Sequence, residues 1–288
     1  MTTAELVTRN VTVAGTRFLL REAGSGSGTP VLLLHGVPET SSVWRDVQPR
    51  LATGRRVLAP DLPGLGGSAY TGPYDLASIT RELVALLDEE LPGRAVDVVG
   101  HDWGGSVALW LAALHSDRVR RLAVANAPHG RVNLLRAAHL PMFALPVLPE
   151  LVFRLGGKRI VDLMFALAWK ADRPLDEERR AEYVAAYTER DKVTAMLGYY
   201  RWAVRPQLAA GLRMAARPPR LPAIRAERTM VLWGAADPVL PVGVGESVVT
   251  ALGPDCVMVT IPDAGHFVIE EASEVVAQTL ADFLAADG

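Results

Sequence analysis

The sequence predicts an α/β fold: a mostly parallel sheet of eight strands, helices on both of its faces, and a helical cap inserted between two strands. Three observations carry this expectation. Short runs apolar on both faces recur along the chain, as buried parallel strands require. Amphipathic segments of helical period lie between several of them. The alternation then stops over one long stretch, where helical periodicity and prolines take over.

Taken in order, Leu6 to Val13 reads as a strand, followed by a turn at Ala14-Gly15 and a second strand over Arg17 to Arg21. The Gly/Ser stretch Gly24 to Gly28 leads into Val31-Leu32-Leu33-Leu34, the first run apolar throughout. Similar runs return at Val57-Leu58, Val96 to Val99, Leu122 to Val124, Met230 to Trp233 and Val257 to Ile261. Helices are expected over Ile79 to Glu90, Ser106 to Leu114, Val242 to Leu252 and Glu274 to Leu284. From about Pro128 to Arg217 there is no strand-like run, and Pro141, Pro146, Pro149, Pro174 and Pro206 are expected to divide the stretch into short helices. The chain therefore reads as a core over residues 1–127 and 219–288 with a cap over 128–218. The cap would cover the strand C-termini, where such sheets bind ligands.

Half of the 288 residues are hydrophobic and 22% are charged, which suits a globular enzyme rather than a disordered binder. A formal net charge of −2, with both signs interspersed, gives no footprint for nucleic acid and no stripe for anionic lipid. The single cysteine, Cys256, lies beside Val257, Met258 and Val259, so it is expected to be a buried, inert thiol in a reducing cytoplasm. The N-terminus has no apolar secretory core, and the apolar stretch near Pro141 to Leu151 is broken by prolines, short of the ~20 residues a bilayer span needs. A soluble cytoplasmic protein is expected, monomeric or homodimeric, with neither nucleic acid nor membrane as a partner. No Cys/His or paired-His spacing suggests a metal site.

The chemistry is concentrated at strand ends. Val98-Val99-Gly100-His101-Asp102-Trp103-Gly104-Gly105-Ser106 reads as a strand, a sharp turn and a helix start, with small residues around Asp102. Such an elbow presents its central side chain alone at the top of the sheet. The alternative, Asp102 as a plain helix cap, needs no such flanks. An aspartate there needs no deprotonation, and its attack on an alkyl carbon bearing a leaving group gives an ester. Epoxide opening or halide displacement follows. His35-Gly36-Val37-Pro38-Glu39 follows the first buried run, so the N–H of Val37 is expected to complete an oxyanion hole with that of Trp103. Asp237 follows the strand ending in Trp233-Gly234, and His266 follows the last strand. In that order the acid orients the imidazole, which acts as base toward water. His101, His115, His129 and His139 lack such a setting. The glycine-rich Asp61 to Ser68 lacks the Walker Lys-Ser/Thr end and the dinucleotide spacing, and reads as a structural turn.

With these residues in place, the chain resembles the epoxide hydrolase branch of the α/β-hydrolase superfamily over essentially its whole length. The resemblance is strongest at His35 to Glu39, Asp61 to Ser68, Gly100 to Gly105, Gly234 to Asp237 and Asp263 to Phe267. It implies the α/β-hydrolase fold, a hydrophobic epoxide and water as partners, and no cofactor. It also implies Asp102 as nucleophile, His266 as base and Asp237 as orienting acid. Members of this branch hold the epoxide oxygen with two cap tyrosines. Tyr200, before Arg201, matches the second, with a core tyrosine as its alternative. The first falls near His139 to Phe143, where this chain has none; His139 aligns there, and Trp169 is a second possible donor. His35, Pro38, Trp103, His139, Trp169 and Tyr200 are the expected substrate contacts. The missing tyrosine leaves other readings open. Haloalkane dehalogenases share an Asp-Trp elbow, although their Asn after His-Gly is Val37 here. Another α/β-fold hydrolase, or a ligand-binding protein without turnover, completes the set.

Overall fold

The computed structural model describes residues 4–129, 139–211 and 223–285. Its strands are β1 (Leu6–Val13), β2 (Thr16–Ala23), β3 (Val31–Leu34), β4 (Val57–Pro60), β5 (Val96–His101), β6 (Val119–Ala125), β7 (Arg228–Gly234) and β8 (Val257–Ile261). They form one sheet in the order β1-β2-β4-β3-β5-β6-β7-β8. The two pairings of β2, with β1 and with β4, are antiparallel; from β4 to β8 along the sheet every pairing is parallel.

Helices sit on both faces because successive side chains of each strand point to opposite sides. Leu32 and Leu34 of β3 join the apolar layer beneath α2 (Leu76–Glu90) and α3 (Trp103–Leu114), whereas Val31 and Leu33 join the layer shared with α1 (Gln48–Leu51), α10 (Val268–Glu271) and α11 (Ser273–Ala285). The remaining core helix on the α2/α3 side, α9 (Val242–Leu252), packs on Val231 and Trp233. α2 starts earlier than its apolar period suggests, because Asp75 caps it through the N–H of Ser78 at 2.9 Å.

Two expectations are corrected at the sheet's far edge. β8 is not a fully buried strand: among the described residues no strand lies beyond it, and Val257 is 47% exposed. Cys256, in the turn leading into it, is half-buried rather than buried, and its surroundings push its pKa up.

Between β6 and β7 the described elements are helical: α4 (His139–Ala144), α5 (Leu148–Gly156), α6 (Lys158–Ala168), α7 (Glu177–Ala186) and α8 (Arg190–Gly211). The expected boundary at residue 218 lies outside the described residues. Pro206 does not divide this stretch; it sits inside the 22-residue α8. Packing of α8 along α4 and α5 outweighs the lost backbone hydrogen bond. Arg179 of α7 bridges Asp46 and Glu270 of the core, and the Tyr183 hydroxyl donates to Glu270 at 2.5 Å. Among the described residues no helix is long and apolar enough to cross a membrane.

Candidate active site

β5 enters α3 through Asp102, whose backbone stands at φ 47° and ψ −117°, a conformation that costs an L side chain energy. Close packing holds it. A Cβ on Gly104 would fall inside the carbonyl of Leu34, and one on Gly36 would lie 2.6 Å from the Asp102 Cβ. The Asp102 side chain makes no capping bond to α3, so its position has a reason other than the helix. Its Oδ2 accepts the N–H of Val37 at 3.0 Å, and its Oδ1 lies 3.7 Å from His266 Nε2. Val37 reaches it because β3 and β5 are in register, with Leu34 beside Gly100. Trp103 is the first residue of α3, so its N–H has no acceptor within the helix.

His266 and Asp237 arrive from the loops after β8 and β7. The Nδ1–H of His266 donates to Asp237 Oδ2 at 2.8 Å. Asp237 is fixed in turn: its Oδ1 accepts the N–H groups of Val239 and Leu240 at 2.7 and 2.9 Å. A residue that sequence reasoning missed completes the support. Asn126, at φ 41° just past β6, donates from Nδ2 to Asp237 Oδ2 at 2.6 Å while its Oδ1 accepts the N–H of Gly234 at 3.0 Å.

The charges are strongly coupled. Burial pushes the Asp102 pKa up, but the hydrogen bond and charge of His266, the charge of His101 and the Val37 N–H hold it below the usual carboxylate range. Burial also opposes the charge on His266, yet Asp237 and then Asp102 lift its pKa well above the ordinary imidazole value. Asp237 stays below the usual range: burial is outweighed by His266, the Leu240 N–H and Asn126.

His101 packs behind His266, ring centroids 5.5 Å apart, a placement the sequence does not show. Its ring is fully buried, with Nδ1 2.8 Å from Glu39 Oε2 and Nε2 donating to the carbonyl of His266 at 2.8 Å. Burial pushes its pKa down, but the Glu39 carboxylate more than offsets this and raises it. Glu271 was missed as well. It accepts four backbone N–H groups: Gly265 and Phe267 on either side of His266, at 2.9 and 3.1 Å, and Lys170 and Ala171 after α6, at 2.8 and 2.9 Å. The N–H of His266 itself donates to Ala168 at 3.2 Å. One buried carboxylate thus clasps the histidine loop to the segment after α6.

Tyr200 of α8 hangs over the elbow, its ring edge-to-face with Trp103 at 5.0 Å and with Phe143 at 4.9 Å. Burial and the Asp102 charge raise the pKa of its phenol, while a hydrogen bond from the Trp103 side chain lowers it. The neighbouring Tyr199 is committed elsewhere, donating to the Pro63 carbonyl at 2.9 Å. Pro38 is buried beside Val37. Two expected contacts are corrected. His35 is fully buried with both nitrogens occupied: Nδ1 donates to Gly36 O at 2.8 Å, and Nε2 accepts the N–H of Leu62 at 2.9 Å. The Trp169 indole N–H is shared between the carbonyls of Ala171 and Arg173 at 3.1 and 2.8 Å, so it is not offered to a ligand. The side chain of His139 lies outside the described residues. Asp61 closes the glycine-rich loop on itself through the N–H of Gly67, at 2.6 Å, and ties it to the segment after β3 through the N–H of Ser41, at 2.7 Å. Among the described residues no group of three or more His, Cys, Asp or Glu side chains is arranged to hold a metal ion.

The profile of the alpha/beta hydrolase fold matches residues 29–273. The chain belongs to the α/β-hydrolase fold family. Within that family, this α/β hydrolase is 26% identical to the AB hydrolase superfamily protein YfhM of Bacillus subtilis, over 91% of this chain and 92% of that one. It is 27% identical to Epoxide hydrolase 3 of Xenopus tropicalis, over 95% of this chain and 76% of the relative. The crystal structure of Epoxide Hydrolase A from Mycobacterium thermoresistibile matches 97% of this chain and 98% of its own, at a TM-score of 0.76 and 28% identity. The resemblance is to epoxide hydrolase-like members of the family, as the motifs indicated.

Proposed function

We propose that this α/β hydrolase converts a hydrophobic epoxide to a diol through an ester on Asp102. The supporting observation is the pairing of an ionised, elbow-mounted carboxylate with a phenol, Tyr200, on the cap side. Asp102 Oδ1 attacks an epoxide carbon and the ring C–O bond breaks, while the Tyr200 O–H gives its proton to the departing oxygen, which stays in the product. Asp102 Oδ2 becomes the ester carbonyl, already beside the Val37 N–H. Water, deprotonated by His266 Nε2, adds to that carbonyl. The N–H groups of Val37 and Trp103 hold the oxyanion until the diol leaves. As the oxyanion collapses the ester C–O bond breaks, and the leaving alkoxide takes the proton of the new Asp102 carboxyl, which restores the carboxylate; the proton taken by His266 restores the phenol through water. Rings of Trp103, Phe143 and Tyr200 favour an apolar substrate.

Halide displacement would use the same carboxylate, but Trp169 offers no second halide donor. A parallel assay of an aryl epoxide and a terminal haloalkane tests the choice. Diol formation without halide release is expected, abolished by Asp102→Asn. Halide release without diol formation would replace this reading with the dehalogenase one.

A further inference from the structure

The outer surface of the cap is apolar and cationic at once. α5 buries Pro149 and Phe153 and turns Leu148, Leu151 and Leu155 to solvent, with Leu155 78% exposed; Val147, just before it, is 73% exposed. α6 follows directly through Gly157, buries Val161, Phe165 and Ala168 in the same apolar core, and turns Leu163 and Leu167 outward. Arg154, Lys158, Arg159 and Lys170 are exposed among them, and their side chains form no ion pair with the described residues. The sequence from 145 to 170 carries two acids, Glu150 and Asp162, and both are neutralised, by Arg201 and Arg180.

Charge follows the same division at larger scale. Residues 128–218 hold fifteen Lys and Arg against nine Asp and Glu, a balance of +6, while the rest of the chain holds fifteen against twenty-three, a balance of −8. An apolar patch with a one-signed rim marks a surface made for a partner. We infer that the α5–α6 face of the cap docks the protein onto an anionic lipid surface, with the leucines at the acyl boundary and the cations among the headgroups. A second copy fits less well, since a two-fold contact through this face would bring its cations against one another. Negative headgroups supply the charge that the face lacks, and short helices with one apolar face lie in a bilayer interface without crossing it. The cap would then meet the phase in which an apolar substrate dissolves. This inference does not depend on the proposed chemistry.

Cosedimentation of the full chain with phosphatidylcholine vesicles, with and without a third of the lipid replaced by phosphatidylglycerol, tests it. Binding to the anionic vesicles alone, weakening as salt is added, is expected. The combined change Arg154→Glu, Lys158→Glu and Arg159→Glu should weaken binding by about tenfold or more. Leu151→Ser with Leu155→Ser should do likewise, and both variants should melt like the parent protein. No sedimentation of the parent protein at low salt, or equal sedimentation of the variants, would overturn the inference. So would a concentration-dependent dimer, abolished by the leucine changes, in a protein that ignores vesicles; the face would then belong to a second copy.

Discussion

Asp102 and His266 set one another's charge. Two carboxylates flank a single buried imidazole, Asp237 and then Asp102 raising its pKa against the effect of burial, and a protonated ring cannot take a proton from water. Under the proposed mechanism, esterification removes the Asp102 anion and lets the His266 pKa fall, so more of the ring is free to act as base when there is an ester to hydrolyse. Asp102→Asn imitates that loss of charge. NMR titration of the variant should give a His266 pKa below that of the parent protein; an equal or higher value contradicts the coupling. By the same sign, turnover limited by ester hydrolysis should fail as pH drops through the lowered pKa, where the ring is protonated. Tyr200 is tested apart from this pair. Tyr200→Phe keeps the ring packed against Trp103 and removes the hydroxyl that donates the proton and accepts the Trp103 N–H, so epoxide opening should slow by about 10²-fold while stability falls by about 1 kcal/mol, the cost of one hydrogen bond. An unchanged rate of alkylation would take Tyr200 out of the mechanism.

At the scale of elements, Glu271 joins the loop after β8 to the segment after α6. Four N–H groups converge on its carboxylate, and an amide there would present an NH2 group to donors. Glu271→Gln should cost about 1–3 kcal/mol of stability. It should also slow ester hydrolysis more than alkylation, so the ester accumulates in rapid-quench mass spectra. A lower melting point with both half-reactions intact would make the clasp structural alone. Nothing in the sequence marks this residue, because Glu270-Glu271 before a helix looks like a solvated helix start. Asp102, Asp237 and His266 are legible for a local reason: each closely follows a strand-like apolar run, and small residues surround the first. Asn126 and the Glu39–His101 pair are not, since their partners lie far along the chain and only the strand order brings them together. His35 and Trp169 mislead in the opposite sense. Their positions suggest contact with a ligand, but backbone groups nearby consume their polar atoms.

Across the whole molecule, the parallel sheet brings three loop-borne groups to the ends of β5, β7 and β8, and the helices inserted between β6 and β7 lay Tyr200 over them. Periodicity and the break in alternation make this layout legible. The polarity of charge is hidden because a balance of −2 averages a cationic stretch, residues 128–218, with the anionic residues on either side of it. Everything proposed for the chemistry turns on whether Asp102 bonds to the substrate or merely prepares water to attack it. A single turnover in heavy-oxygen water, with protein in excess over epoxide, separates the two. The account predicts an unlabelled first diol and heavy oxygen in the peptide that carries Asp102. Heavy oxygen in the first diol, with none in that peptide, would contradict it.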